Sequence, residues 1–149
     1  MKKIKIRKPL LKPPFKLQVK RSSAGLGLYA GEVIPKGKYI IEYFGEIIDD
    51  PTADRRAGRY LFEVAKNVNI DGTLRENTAR YINHACRPNC EIYFYKQRVK
   101  VRSLRKIKEG EELNYDYGTD YFEGIIGGKK HCRCPRCVDW RKNRRKKKP

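Results

Sequence analysis

Turn-forming residues break the apolar part of this chain into short runs, and this pattern limits the fold more than any other feature. FKLQVKRS at 15–22 alternates apolar and polar side chains, as a half-buried strand does. YLFEVAKNVNIDG at 60–72 predicts a hairpin that turns at Lys66–Asn67. EIYFYKQRVKVRSLRKI at 91–107 predicts two further strands with a break near Lys96–Gln97. Many short strands with frequent turns favour a mostly-β fold of several small sheets.

The other segments of the chain are predicted to be a turn, short helices and one more strand. SAGLG at 23–27 is typical of a tight glycine turn. DDPTADRRAG at 49–58 predicts a short helix or a loop, and RENTARYINHA at 75–85 is the clearest candidate for a short helix. KEGEELNYDYG at 108–118 turns at Glu109–Gly110 and runs into a strand. The expected class is therefore mostly β with short helices.

The positive charge of the chain is concentrated at its two ends. The chain has 149 residues, enough for one domain, and a net charge of +19. Residues 1–20 contain eight Lys and Arg, residues 141–149 contain seven, and neither segment contains an acid. The middle, 21–140, has 21 basic and 17 acidic residues, a net charge of only +4. The basic ends either keep the protein soluble or bind nucleic acid or an acidic partner.

The sequence predicts a protein that works inside the cell. No stretch approaches the ~18 consecutive apolar residues of a membrane span, so we expect no membrane contact. The basic start has no uninterrupted apolar core and no small-residue cleavage site, which argues against a secretory signal. We expect a monomer that is cytoplasmic if the source is prokaryotic and nuclear if it is eukaryotic, with reduced thiols.

Three of the five cysteines lie in HCRCPRC, residues 131–137. Closely spaced cysteines with basic neighbours predict a zinc site, because thiolates bind zinc and nearby cations favour the thiolate. Three thiolates leave a tetrahedral site one ligand short, so the fourth ligand comes from His131 or from the pair Cys86 and Cys90. The alternatives to a metal site are free thiols or a disulfide.

The segment ARYINHACRPNC, residues 79–90, brings Asn83, His84 and Cys86 close together in the sequence. A nucleophilic cysteine needs a base beside it in space. His84 and Cys86 are two apart and point in different directions on a helix, so we consider nucleophilic catalysis by Cys86 unfavourable. Taken alone, His84 would be interpreted as an ordinary buried histidine.

Three further motifs share the chain with this segment: AGLGLYA, EYFGEII and EELNYDYG. Each motif is weak by itself. Gly25-x-Gly27 is a turn, and Tyr115 and Tyr117, two apart on a strand, could simply pack in the core. Together, with ARYINHACRPN between the second and the third, they resemble the SET-domain protein-lysine methyltransferases over about residues 15–140. The cysteines of HCRCPRC then resemble the post-SET segment of that family.

This resemblance implies a SET-domain fold of several small β-sheets with a C-terminal pseudoknot. The segment with Asn83 and His84 is threaded there by the later tyrosine-bearing segment. The fourth zinc ligand becomes Cys86, beside Cys132, Cys134 and Cys137, and Cys90 remains a small buried residue. The implied divisions are a basic N-terminal arm at 1–14, the SET domain at 15–121, a post-SET-like zinc segment at 122–140 and a basic C-terminal tail at 141–149.

The resemblance also implies roles for individual residues. Tyr117 is the catalytic tyrosine, Tyr43 lines the lysine channel, and Tyr115 sets how many methyl groups fit. Gly25 and Gly27 let the backbone approach S-adenosylmethionine. The residues expected to bind or cover that cofactor are Gly25, Leu26, Gly27, Tyr60, Arg80, Asn83, His84 and Trp140.

The implied function is transfer of a methyl group from S-adenosylmethionine to a lysine side chain of a protein, such as a histone or another nucleic-acid-associated protein. One structural zinc ion is expected. A SET fold that has lost activity and serves as a binding module is one alternative, and retention of Tyr117, Asn83, His84 and Gly-x-Gly argues against it. A zinc-containing nucleic-acid binder is the other, and the nearly neutral middle of the chain argues against it.

Two features depart from the family pattern. The Cys-x-Cys-x-x-Cys spacing is tighter than the usual four-residue second gap, which bears on the zinc geometry. The insert at about residues 49–78, which normally helps to choose the substrate, is short. A histone substrate therefore does not follow from the resemblance.

Overall fold

The computed structural model describes residues 3–146, apart from the side chains of residues 120, 124, 125 and 146. The strands are β1 (Ile6–Arg7), β2 (Leu17–Ser22), β3 (Gly25–Ala30), β4 (Tyr39–Tyr43), β5 (Gly45–Ile48), β6 (Leu61–Ala65), β7 (Val68–Asp71), β8 (Asn83–His84), β9 (Cys90–Tyr95), β10 (Arg98–Ser103) and β11 (Asn114–Tyr115). The helical elements are α1 (Asp50–Arg56), a 3₁₀ turn (Thr78–Tyr81), α2 (Thr119–Tyr121), a π-helical turn (Phe122–Ile126) and α3 (Pro135–Lys146).

Four small sheets contain all of these strands. Three of them are antiparallel, with strand orders β1-β5-β7-β6, β4-β10-β9 and β2-β3. The fourth is the parallel pair β8–β11, only two residues long in each strand. The predicted class, mostly β with several small sheets and short helices, is confirmed.

Both predicted hairpins are confirmed at their predicted turns. Strands β6 and β7 are joined through Lys66–Asn67, and β9 and β10 through Lys96–Gln97. Asn67, Lys96 and Gln97 have φ angles of 58°, 48° and 60°. Tight hairpins need this left-handed backbone because it matches the twist of the flanking strands.

The segment 49–58 forms α1, which settles the choice between helix and loop. Asp49 caps the helix, since its side chain accepts a 2.9 Å hydrogen bond from the backbone N–H of Thr52. Pro51 occupies the first turn, where its missing N–H costs nothing. Ala57 ends the helix with a left-handed φ of 44°.

The predicted helix over 75–85 is wrong for most of its length. Only Thr78–Tyr81 is helical, as a 3₁₀ turn, and Asn83–His84 is the strand β8. Two long-range interactions explain the difference. The fully buried Asn77 accepts a hydrogen bond from Phe44 N–H and donates one to Gly72 O, while β8 pairs with β11.

Two further expectations need smaller corrections. The strand expected after Glu109–Gly110 is reduced to the two residues of β11, so Tyr117 lies outside it. The expected glycine turn at 23–27 is confined to Ser23–Ala24, because β3 already begins at Gly25.

The core lies between the sheets and beneath the segments around β8 and β11. Its fully buried side chains come from nearly every part of the chain: Leu28, Ile34, Ile40, Ile82, Val99, Val101, Ile107 and Leu113. Burying a side chain of this size contributes about 1.5–3 kcal/mol. The segments that carry the candidate site residues therefore pack against this core.

The two ends of the described chain are attached to the body. Strand β1 pairs with β5, and Leu10 N–H donates to the Glu42 carboxylate at 3.1 Å. Helix α3 crosses the predicted boundary between the zinc segment and the basic tail. Residues 1–2 of the predicted arm and 147–149 of the predicted tail lie outside the described range. None of the helices within residues 3–146 has both the length and the apolar composition needed to cross a membrane.

Candidate functional site

A cavity of about 780 Å³ opens where the start of β3, the 3₁₀ turn, β8, β11 and the cysteine-rich segment meet. The predicted catalytic residues Tyr43, Tyr115 and Tyr117 all line it. Most of the predicted cofactor residues line it too, namely Leu26, Tyr60, Arg80, Asn83 and His84. Gly25, Gly27 and Trp140 do not line the cavity.

The tyrosines form one aromatic cluster in the wall of the cavity. The rings of Tyr115 and Tyr117 are 4.8 Å apart, and those of Tyr117 and Tyr121 are 4.9 Å apart. The Tyr117 hydroxyl donates a short hydrogen bond to the carbonyl of Ile82. Although Tyr117 is not part of β11, its ring still lies beside that of Tyr115, as the sequence predicts.

Burial, and then the neighbouring phenols, raise the pKa values of Tyr43, Tyr115 and Tyr117 well above the usual value. All three hydroxyls therefore keep their protons near neutral pH and can act as hydrogen-bond donors. The buried hydroxyl of Tyr43 has no hydrogen-bond partner within the part of the chain that the structure describes. An unpaired buried hydroxyl is costly, so this site fits a ligand with a polar group there.

The side chain of Asn83 is fixed by three acceptors. Its amide nitrogen lies 3.1 Å from Ser22 Oγ, 2.9 Å from Leu26 O and 2.9 Å from Glu112 Oε1, so its two N–H groups are shared among three acceptors. This network links the start of β3 to β8 and to the residue that precedes Leu113. It holds the asparagine amide in one orientation at the edge of the cavity.

The two glycines of the Gly-x-Gly motif each meet a local structural requirement. A Cβ atom on Gly27 would lie 2.3 Å from Glu112 Oε1, so this glycine makes room for the Glu112 carboxylate. Gly25 has a φ of 103°, which side chains rarely tolerate. Neither lines the cavity, so a direct backbone approach to a cofactor remains a prediction.

His84 connects the tyrosine cluster to the cysteines. Its Nδ1 accepts a 3.0 Å hydrogen bond from the backbone N–H of Tyr117, and its Nε2 lies 3.4 Å from Cys86 Sγ. An acceptor at Nδ1 places the ring proton on Nε2. Burial lowers the pKa of His84, although Asp116 opposes that shift, so the ring is neutral near pH 7. The ring of Phe122 packs against it with centroids 5.0 Å apart.

Arg80 lies against two aromatic rings at the cavity wall. Its guanidinium is 5.1 Å from the ring centroid of Tyr60 and 5.0 Å from that of Tyr81. One nitrogen donates to Thr73 O, but the buried Nε has no hydrogen-bond partner among the described residues. A half-buried guanidinium with an unpaired Nε–H fits an anionic group such as a carboxylate.

Trp140 is not among the residues that line the cavity, and its role in covering a cofactor stays a prediction. Lys129 and Arg144 lie over its ring, with centroid distances of 5.9 Å and 5.0 Å. The indole, which lies on α3, is thus in contact with two cationic side chains.

The four predicted metal ligands lie together. The sulfur atoms of Cys86, Cys132, Cys134 and Cys137 are all within 4.8 Å of one another. A tetrahedral zinc with Zn–S bonds of about 2.3 Å requires sulfurs about 3.8 Å apart, so a small contraction would complete the geometry. Helix α3 begins at Pro135 and places Cys137 in its first turn, which accommodates the tight spacing of the three cysteines.

The other candidate ligands lie elsewhere. His131 is exposed and outside this four-residue group. Cys90 is fully buried in the main core, as predicted, where burial raises the pKa of its thiol to about 12. No disulfide joins the five cysteines. Among the alternatives that the sequence leaves open, the structure therefore favours Cys86 as the fourth ligand.

The thiols of Cys132 and Cys134 differ in pKa because their surroundings differ. Burial raises the pKa of Cys132 to about 12. Burial acts in the same direction on Cys134, but hydrogen bonds from the backbone N–H groups of Cys86 and Cys137 outweigh it and lower the pKa of Cys134 to about 7. Cys134 therefore loses its proton more readily than Cys132, as a zinc ligand must.

Sequence reasoning missed several residues that shape this site. Glu112 lies within EELNYDYG and Tyr121 and Phe122 lie in no motif, and the sequence analysis gives none of the three a role. Asn89 and Asn114 bind each other reciprocally: Asn89 N–H donates to Asn114 Oδ1 at 2.8 Å, and Asn114 N–H donates to Asn89 Oδ1 at 3.0 Å. Asn89 lies in ARYINHACRPNC and Asn114 in EELNYDYG, but a single sequence does not show that the two asparagines pair.

The chain belongs to the SET domain family, whose model matches residues 25–118. The histone-lysine N-methyltransferase ASHH3 of Arabidopsis thaliana is 36% identical over 129 residues, which cover 78% of this chain and 34% of that protein. The histone-lysine N-methyltransferase trithorax of Drosophila virilis is 38% identical over 125 residues, covering 73% of this chain and 3% of that protein. Histone-lysine N-methyltransferase 2D of Homo sapiens is 39% identical over 128 residues, which cover 78% of this chain and 2% of that protein. The chain therefore spans about a third of the length of the first relative and far less of the others.

Replacing Cys86 by serine tests the metal site. We expect about one zinc ion per chain in the protein purified under reducing conditions. Cys86→Ser should lose most of it, because serine is a much poorer zinc ligand than a thiolate. The matched control is Cys90→Ser, which removes a buried thiol outside the cluster and should retain zinc. Elemental analysis of the folded variants measures this, and full zinc retention in Cys86→Ser would contradict the assignment.

Proposed function

We propose that this chain transfers a methyl group from S-adenosylmethionine to the side-chain amine of a lysine in a protein substrate. The observation that carries the proposal is the cavity in which Tyr43, Tyr115 and Tyr117 adjoin Asn83 and His84. S-adenosylmethionine supplies, when bound, a methyl group on a sulfonium sulfur, which the amine nitrogen takes as the carbon–sulfur bond breaks. The products are the methylated lysine, the neutral thioether and a proton released to solvent.

The tyrosine cluster would receive the substrate lysine. The amine must be neutral to attack, yet the unperturbed pKa of lysine is ~10.4. Buried aromatic walls disfavour the ammonium form because they remove it from water. The hydroxyl oxygens of Tyr43 and Tyr117 and the carbonyl of Ile82 would accept hydrogen bonds from the amine N–H groups, which leaves the nitrogen lone pair free to attack. Position and exclusion of water are the main contributions that such a site makes to a displacement reaction.

The opposite part of the cavity would hold the cofactor. The free donor of Arg80 fits the carboxylate of its amino-acid portion, and the fixed amide of Asn83 offers an acceptor. Leu26, Tyr60 and the β8 backbone at His84 supply the adjoining wall. Gly25, Gly27 and Trp140 have no contact with the cavity, so their predicted cofactor role has no support from this geometry.

The four cysteines Cys86, Cys132, Cys134 and Cys137 would hold one zinc ion with a structural role. Cys132 and Cys134 also line the cavity. Metal binding would therefore hold a part of the cavity wall in place, since binding and local folding are coupled.

The proposed partner is a protein that carries the target lysine, such as a histone or another nucleic-acid-associated protein. The names of the three relatives, all histone-lysine N-methyltransferases, support this class. We further propose that the protein acts as a monomer inside the cell, in the nucleus if the source is eukaryotic. Its basic ends would contact nucleic acid.

Two rival functions are an inactive binding module with a SET fold and a zinc-containing nucleic-acid binder. Incubation with labelled S-adenosylmethionine and a panel of basic proteins separates all three. Transfer of label to a protein lysine supports the enzyme. Cofactor binding without transfer supports the inactive module. The nucleic-acid binder predicts neither cofactor binding nor transfer.

Tyr117→Phe tests the catalytic assignment. The substitution removes only the hydroxyl that bonds to Ile82 O, so folding and binding of S-adenosylhomocysteine should change little. Methyl transfer should fall by roughly a hundredfold or more, the size typical for loss of one group that acts in the transition state. The control is Tyr95→Phe, an exposed tyrosine outside the cavity, which should keep full activity. Near-normal turnover in Tyr117→Phe would reject the assignment.

Tyr115→Phe tests the control of product. The Tyr115 hydroxyl occupies space that a methylated amine needs in order to turn for a second attack, and phenylalanine frees about the volume of one water. We expect wild type to make chiefly monomethyl-lysine and the variant to shift product toward dimethyl-lysine. Mass spectrometry of a peptide after many turnovers measures the distribution. Chiefly trimethyl-lysine from wild type would show that Tyr115 does not limit methylation.

A further inference from the structure

Helix α3 is a strongly basic helix on the surface of the protein. Its sequence contains six basic residues and one acid, Asp139. The basic side chains of Arg136, Lys142, Arg144 and Arg145 are exposed. None of the ion pairs among the described side chains involves a residue of α3. The helix is polar on nearly every side, and Cys137 is the one buried residue among its described side chains.

Like charges follow one another along this helix at unfavourable spacings. Arg141 and Arg145 are four residues apart, and Lys142 and Arg145 are three apart. Side chains at these spacings are neighbours on a helix, and like-charge neighbours destabilise it. A polyanion bound along the helix would relieve this repulsion, whereas water alone does so only in part.

The basic helix is nevertheless held in a fixed position. One guanidinium nitrogen of Arg141 donates 2.6 Å hydrogen bonds to the carbonyls of both Lys129 and Cys132. Cys134 and Cys137, at the start of the helix, belong to the cysteine cluster. The exposed Lys129 and Arg133 in the preceding loop extend the positive surface from the helix. We call this set the α3 surface: Lys129, Arg133, Arg136, Lys142, Arg144 and Arg145.

The chemistry of the α3 surface favours a duplex over a single strand. Proteins that bind single strands stack the bases on free aromatic rings. The one aromatic residue of α3, Trp140, already has the cationic groups of Lys129 and Arg144 over its ring. Arginine and lysine without a stacking platform suit phosphates, which a DNA duplex presents at one charge per ~1.7 Å of its axis. A 12-residue helix extends about 18 Å, enough to span several phosphates.

We propose that the α3 surface binds the phosphate backbone of duplex DNA without regard to sequence. This inference deepens the proposed contact with nucleic acid by assigning it to a folded, cysteine-anchored surface rather than to loose tails. Arg133, Cys134 and Pro135 at the start of the surface also line the cavity. A DNA-bound protein substrate would therefore be delivered beside the cavity where its lysine reacts.

The test compares two double variants with the same loss of charge. Lys142→Ala/Arg145→Ala removes two exposed cations from α3, three residues apart on one side of the helix. The matched control, Lys36→Ala/Lys38→Ala, removes two exposed cations from the turn around Gly37. Fluorescence anisotropy with a labelled 20-base-pair duplex, between 50 and 200 mM salt and without S-adenosylmethionine, measures affinity. Zinc content and circular dichroism check that each variant is folded.

The α3 variant should bind more weakly, and its slope of log affinity against log salt should be shallower by about 1.8, because each lost phosphate contact contributes about 0.9. The control should keep the wild-type slope. The charge-preserving exchange Lys142→Arg/Arg145→Lys should restore binding. Equal loss in both alanine variants would show that only diffuse charge attracts DNA and would overturn the proposal.

Two further measurements separate this inference from its alternatives. Binding of polyglutamate as tight as that of the duplex at equal salt would assign the surface to acidic polypeptides and reject DNA. Methyl transfer to a short peptide should be unchanged in the α3 variant. A wild type that binds DNA through α3 but transfers no methyl group would refute the proposed enzyme and leave this inference standing.

Discussion

The site depends on a short crossing between two segments that are distant in the sequence. Strands β8 and β11 pair over only two residues each, Asn83 with Asn114 and His84 with Tyr115. The reciprocal hydrogen bonds between Asn89 and Asn114 extend this pairing, and Asn89 Nδ2 also donates to Glu112 O at 2.8 Å. Asn89 is only 3% exposed, so leaving any of these groups unpaired would cost about 1–3 kcal/mol. The crossing thus sets Asn83 and His84 beside the tyrosines.

The same crossing joins the cavity to the cysteine cluster. His84 accepts from the Tyr117 backbone on one side of its ring and approaches Cys86 on the other. Ala85, between them, packs with Cys132, Cys134 and Cys137 in a second small apolar cluster. Three consecutive residues therefore contact the tyrosine segment, the cysteine-rich segment and the cavity. A change at any one of these contacts alters the geometry of the others.

Much of this arrangement could be predicted from the sequence because it rests on local patterns. The two hairpins follow from alternating strands around short polar turns, and the capped helix α1 follows from Asp49 and Pro51. The family resemblance predicted which residues share the site and which cysteine completes the metal group. The structure brings these residues together: Tyr43, Tyr115, Tyr117, Asn83 and His84 in the cavity, and Cys86 with the other three cysteines. Residue types at fixed spacings carry this information.

The errors have a common physical cause, which is competition from contacts distant in sequence. The segment 75–85 has helical propensity, but the buried Asn77 and the pairing with β11 impose another backbone. A contact of the same long-range kind is that of Gly27 with the carboxylate of Glu112, 85 residues later, which no local pattern indicates.

Native-state hydrogen exchange of the backbone amides tests the crossing most directly. The amides of Ala85, Asn89, Asn114 and Tyr117 all donate across it, to Tyr115 O, Asn114 Oδ1, Asn89 Oδ1 and His84 Nδ1. If the crossing organises the site, these four amides exchange only through openings close in free energy to global unfolding, as core strands do. Exchange of the four at the rate of the exposed turn at Lys96–Gln97, with core amides of β10 still protected, would contradict the account.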